Sequence, residues 1–207
     1  MLEVTEGKEL VSCKDDLDAR ECVRLLKENS ATGWYFQKDN PFDNIHRYYQ
    51  LKFKGTYKDI NLRCMADLII VDDNAKTVLP CDLKTSSKPE YKFYESFINW
   101  NYCIQAQLYW YLIRQCMDKD PVFKDYKLLD YKFIVISRYT MFPLVWDFAG
   151  TICQGGLYTD KDGNNRHFPN WMELVEELDY YTKKSPKVPM GIKENEGNDI
   201  LEALRRQ

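Results

Sequence analysis

The strongest constraint on the fold of this chain is an apolar run that ends at a cluster of turn-forming residues. Residues 66–71 read Ala-Asp-Leu-Ile-Ile-Val, and Asp72-Asp73-Asn74 follow directly. Asp and Asn side chains hydrogen-bond nearby backbone and favour turns, whereas a short apolar run is typical of a buried strand. A further stretch over 77–84 therefore predicts a strand that returns antiparallel to the first.

Hydrophobic periodicity divides the rest of the chain into strands and helices. Strands are predicted over 46–54, 62–71, 77–84, 131–137 and 143–148, and helices over 16–29, 90–117, 171–184 and 198–206. Pro80 inside the third strand predicts an edge position, a bulge or a late start to pairing, because proline donates no backbone hydrogen bond. The order of elements predicts a mixed α/β (α+β) fold, with a central mixed β-sheet of about four or five strands flanked by helices.

Length and composition predict a single domain. The 207 residues are 44% hydrophobic and 29% charged, as in an ordinary globular chain. We expect one domain over 1–207, with a core over about 17–150 and a C-terminal helical extension over about 151–207. No apolar run approaches the length of a membrane span, and the acidic N-terminus lacks the apolar region of a secretory signal. The expected location is therefore cytoplasmic, away from any membrane.

Cysteine usage and net charge bear on the kind of site to expect. Seven cysteines occur without a C-x-x-C pair, which argues against a disulfide framework or a zinc or iron–sulfur site and predicts reduced thiols. The formal net charge of -3 is mild evidence against nucleic-acid binding, since such domains are typically basic. It does not exclude a nuclease, which needs only a local basic groove beside an acidic metal site.

Two carboxylates and a lysine interrupt the antiparallel pair. Asp67 lies within the first apolar strand, and Asp82-Leu83-Lys84 ends the second. Side chains alternate along a strand, so Asp82 and Lys84 should share one face while Leu83 faces the other side, into the core. If the strands pair through the turn, Asp67 and Asp82 meet at one end, where a hard cation such as Mg²⁺ would relieve their repulsion. The alternative is structural: both carboxylates cap strand ends, and Lys84 pairs with one of them.

The spacing of these residues resembles that of the PD-(D/E)XK nucleases. Within that superfamily the chain is most similar to phage-type and exodeoxyribonuclease VIII-like exonucleases, relatives of the RecB nuclease domain. The similar stretches are Arg63-Cys64-Met65-Ala66-Asp67-Leu68-Ile69, then Asp82-Leu83-Lys84-Thr85, then Tyr102-Cys103-Ile104-Gln105-Ala106-Gln107-Leu108-Tyr109. The last stretch matches an aromatic-x-x-Q-A-x-x-Y helix of that group. The resemblance covers roughly 17–150 and implies a restriction-endonuclease-like core.

The resemblance also implies roles for the matched residues. Asp67, Asp82 and Lys84 would be catalytic. The two carboxylates, together with the backbone carbonyl of Leu83, would hold Mg²⁺ or Mn²⁺. Gln105 would orient the nucleophile or the scissile phosphate, and Tyr109, one helical turn further on, would stack behind it.

The remaining candidates are weaker matches. Gln107 is as easily explained as part of a packed helix, and the same holds for Tyr109. Members of the family have an earlier helix that supplies a Glu; Glu21 is the best-placed substitute here, and a solvent-exposed role is its alternative. The candidate contacts to the DNA backbone are Arg63, Lys88, Lys92 and Arg138. His46 and His167 are isolated in the sequence, and we interpret both as structural or surface residues.

The favoured hypothesis is a metal-dependent exonuclease that hydrolyses phosphodiester bonds at duplex DNA ends, and the resemblance implies a role in phage-type recombination. An endonuclease of restriction or repair type with the same fold remains open. So do an inactive DNA-binding or assembly module and an α/β domain with an unrelated role. DNA is the expected partner. The resemblance leaves a homo-oligomer and a single-strand annealing protein open as further partners, and nothing in the sequence establishes either.

Overall fold

A mixed β-sheet forms the centre of the fold. The computed structural model describes residues 12–40, 42–148, 156–159, 163–168 and 170–184. The strands of the sheet are β1 (Ile45–Tyr57), β2 (Ile60–Asp72), β3 (Thr77–Ser86), β4 (Lys127–Leu128), β5 (Tyr131–Ser137) and β6 (Pro143–Phe148). The long strands follow the order β1-β2-β3-β5-β6, and the short β4 pairs with β3. β3 is parallel to β4 and β5, and the other pairs are antiparallel, so the predicted mixed sheet and its antiparallel β2–β3 pair are confirmed.

Helices flank this sheet on both faces. The flanking helices are α1 (Cys13–Glu28), α2 (Phe93–Asn99) and α3 (Tyr102–Lys119). α4 (Trp171–Lys184) is the last described helix, and short 3₁₀ turns span Gly33–Phe36, Glu90–Lys92 and Phe123–Asp125. α1 begins earlier than the predicted 16 because Ser12 caps it: the Asp15 N–H donates to Ser12 Oγ at 3.1 Å. Asp15 and Asp16 in the first turn add a favourable interaction with the helix dipole.

Both faces of the sheet bury apolar side chains against helices, α1 on one face and α2 and α3 on the other. On one face, α1 contributes to a buried cluster made of Cys22, Leu26, Tyr35, Leu68, Ile70, Leu79, Cys81, Ile134 and Ile136. On the other face, α3 contributes to a cluster made of Ala66, Ile69, Val71, Val78, Ile113, Met117 and Leu128. α2 and the start of α3 cover β5 and β6 on that same face, through Phe93, Phe97, Cys103, Ala106, Tyr131, Phe133, Val135 and Phe148. Burying a large side chain of this kind stabilises the fold by about 1.5–3 kcal/mol.

The alternation of faces slips by one residue in the middle of the hairpin β1–β2. Ala66 and Ile69 pack in the same cluster although they are three residues apart, and Leu68 between them packs on the opposite face. Gln50 in β1 has a φ of 53°, and the Gln50–Asp67 pair interrupts an otherwise continuous register. Positive φ is uncommon outside glycine and marks a local irregularity of the strand. The slip falls on Asp67, so it sets the direction of that carboxylate.

The far half of this hairpin extends beyond β3 and is held by α3. The Thr56 N–H donates to Gln115 Oε1 at 2.8 Å, and Gln115 Nε2 donates to the Thr56 carbonyl at 2.9 Å. The Tyr111 hydroxyl donates to the same carbonyl at 3.0 Å. A Cβ at Gly55 would meet Gln115 Oε1 at 2.2 Å and Leu112 Cδ2 at 2.8 Å, so glycine permits this close approach. Side chains of α3 thereby make the hydrogen bonds to the Thr56 backbone that a neighbouring strand would otherwise make.

The prediction of one helix over 90–117 is wrong. The chain forms a 3₁₀ turn, α2 and α3, and the break falls at Asn101, whose φ of 50° and ψ of 40° are left-handed. Asn tolerates that conformation better than most residues. The break lets Phe93 and Tyr102 stack at 6.1 Å, and both rings contact Phe133. Nine residues of continuous helix would separate Phe93 from Tyr102 by about 13 Å along the axis, so aromatic packing favours the break.

Pro80 lies in a central strand, and the sheet accommodates it through a gap. On one side Pro80 pairs with Ile69 of β2. On the other side β4 ends at Leu128, opposite Val78, and β5 begins to pair only at Cys81. The missing N–H therefore falls where no ladder partner is present. A late start to pairing describes the contact of β3 with β5 alone, because pairing with β2 and β4 already begins at Thr77, and the alternative of an edge strand is wrong.

The C-terminal part contains a second small sheet before α4. β7 (Gly156–Thr159) and β8 (Asn165–Phe168) pair antiparallel, so the segment predicted as a helical extension is not helical throughout. Strands of four residues are too short for a clear periodic signal. α4 has its predicted bounds, and the helix predicted over 198–206 lies outside the described residues.

Two compact units divide the chain, Met1–Met172 and Glu173–Gln207. The first contains the central sheet, and the described part of the second is the remainder of α4. None of the described helices has both the length and the apolar character needed to cross a membrane.

Candidate active site

β2 and β3 separate at one end, and Asp67 lies where they part. Their register ends with Leu68 opposite Cys81, which puts Asp67 across from Asp82 at the next position. Oδ2 of Asp67 accepts a hydrogen bond from the Leu83 N–H at 3.0 Å. A carboxylate oxygen thus replaces the strand carbonyl that would otherwise accept from this N–H. The two carboxylates lie at the same end of the strand pair, as the spacing predicts.

Asp82 and Lys84 share the face of β3 that looks toward α3. Asp82 is only 2% exposed, and Lys84 Nζ lies 2.6 Å from its Oδ2. Lys84 Nζ also donates to Gln105 Oε1 at 3.0 Å, and Gln105 Nε2 donates to Asp82 Oδ1 at 2.7 Å. Each of the three side chains contacts the other two. The structure therefore brings together three of the residues that the sequence singled out.

The surroundings of Asp82 make its ionisation costly. Burial, reinforced by the negative charge of Asp67, raises the pKa of Asp82 to about 6. The charge and hydrogen bond of Lys84 and the hydrogen bond of Gln105 act in the opposite direction. A strand-end carboxylate with a purely capping role would remain in contact with water. A buried acid beside a second acid and a lysine is instead typical of functional sites.

Two tyrosines of α3 contact this group of side chains, Tyr102 at Lys84 and Tyr109 at Gln105. The Nζ of Lys84 lies 4.7 Å from the ring centroid of Tyr102, within cation–π range. Burial is the main cause that raises the pKa of Tyr109 to about 12, and Tyr109 forms a side-chain hydrogen bond with Gln105. Tyr109 therefore keeps its proton near neutral pH and acts as a hydrogen-bonding group rather than a base.

Sequence reasoning did not assign a role to Tyr102. Its signal was present, because Tyr102 is the aromatic position three residues before Gln105 in the matched helix. Residues three apart on a helix lie on the same side, so an aromatic there is carried toward whatever Gln105 contacts.

Leu83 faces away from Lys84, as predicted, but the expectation that it enters the core is wrong. Leu83 is 37% exposed and lines an open groove of about 650 Å³ between α1 and the sheet. The α1 residues that line this groove include Asp15, Asp18 and Ala19. Arg138 lines the groove as well and lies 3.6 Å from Asp15.

The donor atoms at this end of the sheet fit a hard divalent cation. Asp67 and Asp82 supply carboxylate oxygens, and the backbone carbonyl of Leu83 follows directly. Mg²⁺ prefers oxygen ligands and is commonly bound through one or two carboxylates while it keeps several waters. A cation would also offset the mutual repulsion that helps raise the pKa of Asp82. Within the described residues, no group of three or more His, Cys, Asp or Glu side chains is placed to hold a metal.

Glu21 is not brought together with these carboxylates. It lies on α1, where its Oε1 is 2.6 Å from Arg24 and its side chain is 43% exposed. α1 packs on the face of the sheet opposite the one that carries Gln105. The position of Glu21 corresponds to the solvent-exposed alternative.

The four basic candidates for DNA contact lie in different surroundings. Lys88 forms an ion pair with Glu95 at 2.7 Å. Arg138 faces the groove along α1, and Lys92 is exposed at the start of α2. Arg63 is exposed on β2, four residues before Asp67.

Gln107, His46 and His167 are the remaining residues that the sequence singled out. Gln107 is partly buried on α3. His46 Nε2 lies 3.2 Å from Asp73, which is consistent with the predicted structural role. The side chain of His167 lies outside the described residues.

Comparison with known proteins adds one distant structural likeness. No protein-family model matches the chain, and no curated protein matches it. A similar solved structure is the 2.19 Å crystal structure of a protein from Eubacterium rectale described as "Putative exonuclease". The two share 12% sequence identity with a TM-score of 0.43, and the match covers 86% of this chain but 55% of that one. A likeness this distant gives no information about activity.

Proposed function

We propose that this chain is a metal-dependent phosphodiester hydrolase that acts on DNA. The observation that carries the proposal is the buried Asp82, which is ion-paired with Lys84 and hydrogen-bonded to Gln105 beside a second carboxylate, Asp67. A protein tolerates an acid in such a position when the acid has a function or a permanent partner. Asp67, Asp82 and Lys84 also match the catalytic positions of the nuclease motif that the sequence resembles.

The carboxylates and the lysine divide the work by charge. Asp67 and Asp82, with the Leu83 carbonyl, would hold Mg²⁺ or Mn²⁺, and such a cation would supply Lewis-acid stabilisation of charge on the phosphate. Lys84 carries the positive charge nearest to the carboxylates and can neutralise the charge that builds on a phosphoryl oxygen. Its position on the same strand face as Asp82 supports this role.

Gln105 and Tyr109 orient the charged groups. The Gln105 amide contacts Asp82 with one end and Lys84 with the other, which restricts both side chains to one relative geometry. Tyr109 restricts Gln105 in turn through a hydrogen bond. Restricting reacting groups in this way lowers the entropy cost of reaching the transition state.

The finer assignment is an exonuclease acting at duplex DNA ends, in recombination of the phage type. The resemblance to phage-type exonucleases supports it. An endonuclease of the same fold would use the same three residues, so only the substrate distinguishes the two activities.

Degradation of linear and covalently closed circular duplex DNA, with Mg²⁺, Mn²⁺ or EDTA, tests the proposal. Wild type is compared with Asp82→Asn, and Asp118→Asn is the matched control because Asp118 is an exposed acid paired with Arg114 on α3. We expect metal-dependent loss of linear DNA alone, abolished by Asp82→Asn and retained by Asp118→Asn. Cleavage of both forms would indicate an endonuclease. Absence of cleavage with every metal would contradict the hydrolase.

A second readout separates loss of metal from loss of chemistry. A cation that binds the folded state and not the unfolded state stabilises the protein by about 2.7 kcal/mol at a cation concentration 100 times its Kd. We expect Mg²⁺ or Mn²⁺ to raise the Tm of wild type and of Asp118→Asn, and to leave the Tm of Asp67→Asn and Asp82→Asn nearly unchanged.

A further inference from the structure

The exposed face of the hairpin β1–β2 is basic in the part that does not pair with β3. Leu51 and Phe53 pack toward α3, and the residues that alternate with them, Lys52 and Lys54, are exposed. Arg63 is exposed on β2. Lys52, Lys54 and Arg63 are called the basic hairpin face below.

Like charges oppose each other directly on this face. Lys54 and Arg63 are register partners, and like charges directly across a strand pair are destabilising. Within the described part of the chain, none of the three side chains forms an ion pair with a carboxylate, although the chain as a whole carries a net charge of -3. The arrangement lacks an internal anion, so an external one would stabilise it.

The basic hairpin face lies on the side of the sheet away from α3, and it runs along β2 toward Asp67 of the candidate active site. Lys52 pairs with Met65, two residues from Asp67, or about 7 Å along the strand. Arg63 lies about 13 Å from Asp67 by the same spacing. The two hydrogen bonds between Gln115 and Thr56 attach this part of the hairpin to α3. The three basic residues therefore lie on a fixed strand surface rather than on a free loop.

We infer that the basic hairpin face binds the phosphate backbone of duplex DNA next to the bond that the Asp67–Asp82 site hydrolyses. This inference rests on the proposed function and adds the surface that holds the substrate. Duplex DNA carries one negative charge per about 1.7 Å of its axis, so a run of basic residues meets several phosphates at once. An anionic membrane is a poorer fit, because membrane binding also needs buried apolar area and Met65 is the one exposed apolar side chain among residues 51–56 and 61–66.

The test is the salt dependence of binding to a short labelled duplex in EDTA, where hydrolysis is excluded. The variants are Lys54→Glu and Lys54→Glu/Arg63→Glu. The double variant Lys124→Glu/Lys127→Glu is the control with the same change of charge, because both residues are exposed beyond the C-terminal end of α3.

Lys54→Glu should make the slope of the logarithm of the DNA-binding constant against log salt shallower by about one, and Lys54→Glu/Arg63→Glu should make it shallower by about two. The control Lys124→Glu/Lys127→Glu should keep the wild-type slope. Lys54→Glu alone also turns a like-charge pair into an opposite-charge pair, so its Tm should equal or exceed that of wild type. Weaker binding by a variant that is not less stable cannot be explained by poor folding.

Slopes and affinities that match the control would overturn the inference. So would a wild type that binds no duplex, or one that binds vesicles containing phosphatidylserine in preference to DNA. Cleavage in Mg²⁺ is measured separately. Cleavage without a change in slope contradicts the basic hairpin face alone, whereas a changed slope in a chain that never cleaves contradicts the hydrolase alone.

Discussion

Lys84 holds its ammonium nitrogen 2.6 Å from Oδ2 of Asp82, two residues earlier on the same strand. Alternation along β3 makes this contact possible, because residues 82 and 84 project from one face. The opposite charge lowers the cost of burying Asp82 without removing it, since the pKa of the carboxyl is still raised to about 6. Lys84 therefore offsets only part of the free-energy cost of ionising Asp82 in the absence of substrate or cation.

Replacing Lys84 by Met should lower hydrolysis by about 100-fold or more, because Met keeps the bulk and removes the charge that faces the phosphate. Turnover at saturating DNA with Mg²⁺ measures the effect. Lys132→Met is the matched control: Lys132 is paired with Asp147 across β5 and β6, away from Gln105. Equal losses in the two variants would contradict a specific role for Lys84.

Asp82→Asn should stabilise the metal-free protein near neutral pH. The pKa of Asp82 is raised in the folded chain, from an ordinary 3.8 to about 6. The protonated form is thus favoured by folding, and this stability is present below pH 3.8 and lost as the pH rises through 6. Above that window the loss amounts to about 3 kcal/mol.

Urea unfolding in EDTA at a series of pH values checks this prediction. Asp82→Asn and wild type should have similar free energies of unfolding near pH 4, and the variant should be the more stable at pH 7.5. A difference that is constant across this range, or of opposite sign at pH 7.5, would contradict the assigned environment of Asp82.

Gln105→Glu should move the acidic limb of the pH–rate profile upward by about one unit. The substitution puts a further negative charge beside Asp82 Oδ1, and a like charge raises the pKa of a neighbouring acid. Gln37→Glu adds the same charge at an exposed position and should leave the profile in place. An unshifted limb in Gln105→Glu would indicate that Asp82 does not titrate in the active enzyme.

Gln115→Leu should lower the free energy of unfolding by about 1–3 kcal/mol, because the Thr56 N–H and carbonyl lose their Gln115 partner. Asn61→Ala changes an exposed residue opposite Thr56 in the same hairpin and should shift stability by less than about 0.5 kcal/mol. Denaturant unfolding measures both. A neutral Gln115→Leu would mean that water replaces the Gln115 hydrogen bonds at little cost.

Local patterns were enough to predict the elements whose signals lie within a few residues. β5, β6 and α4 have their predicted bounds, because each carries a clear period and ends at turn-forming or polar residues. β1 continues past its predicted end to Tyr57, and β2 begins before its predicted start, at Ile60. Contacts with α3 stabilise these added parts of the hairpin, and no local sequence pattern predicts them. The break at Asn101 likewise depends on aromatic packing against Phe133, which no local rule contains.

The amino-acid sequence by itself determined that Asp67, Asp82 and Lys84 belong to one strand pair, since the turn between the strands and the alternation along β3 are local properties. The tertiary structure decided which contacts the surrounding groups make with them. Gln105 arrives from a helix 21 residues away in the chain, and its amide closes the contact between Asp82 and Lys84. The burial that raises the pKa of Asp82 likewise depends on three-dimensional packing. Electrostatic cost follows the distances and exposure of groups far apart in sequence, and those exist only once the sheet and helices have packed.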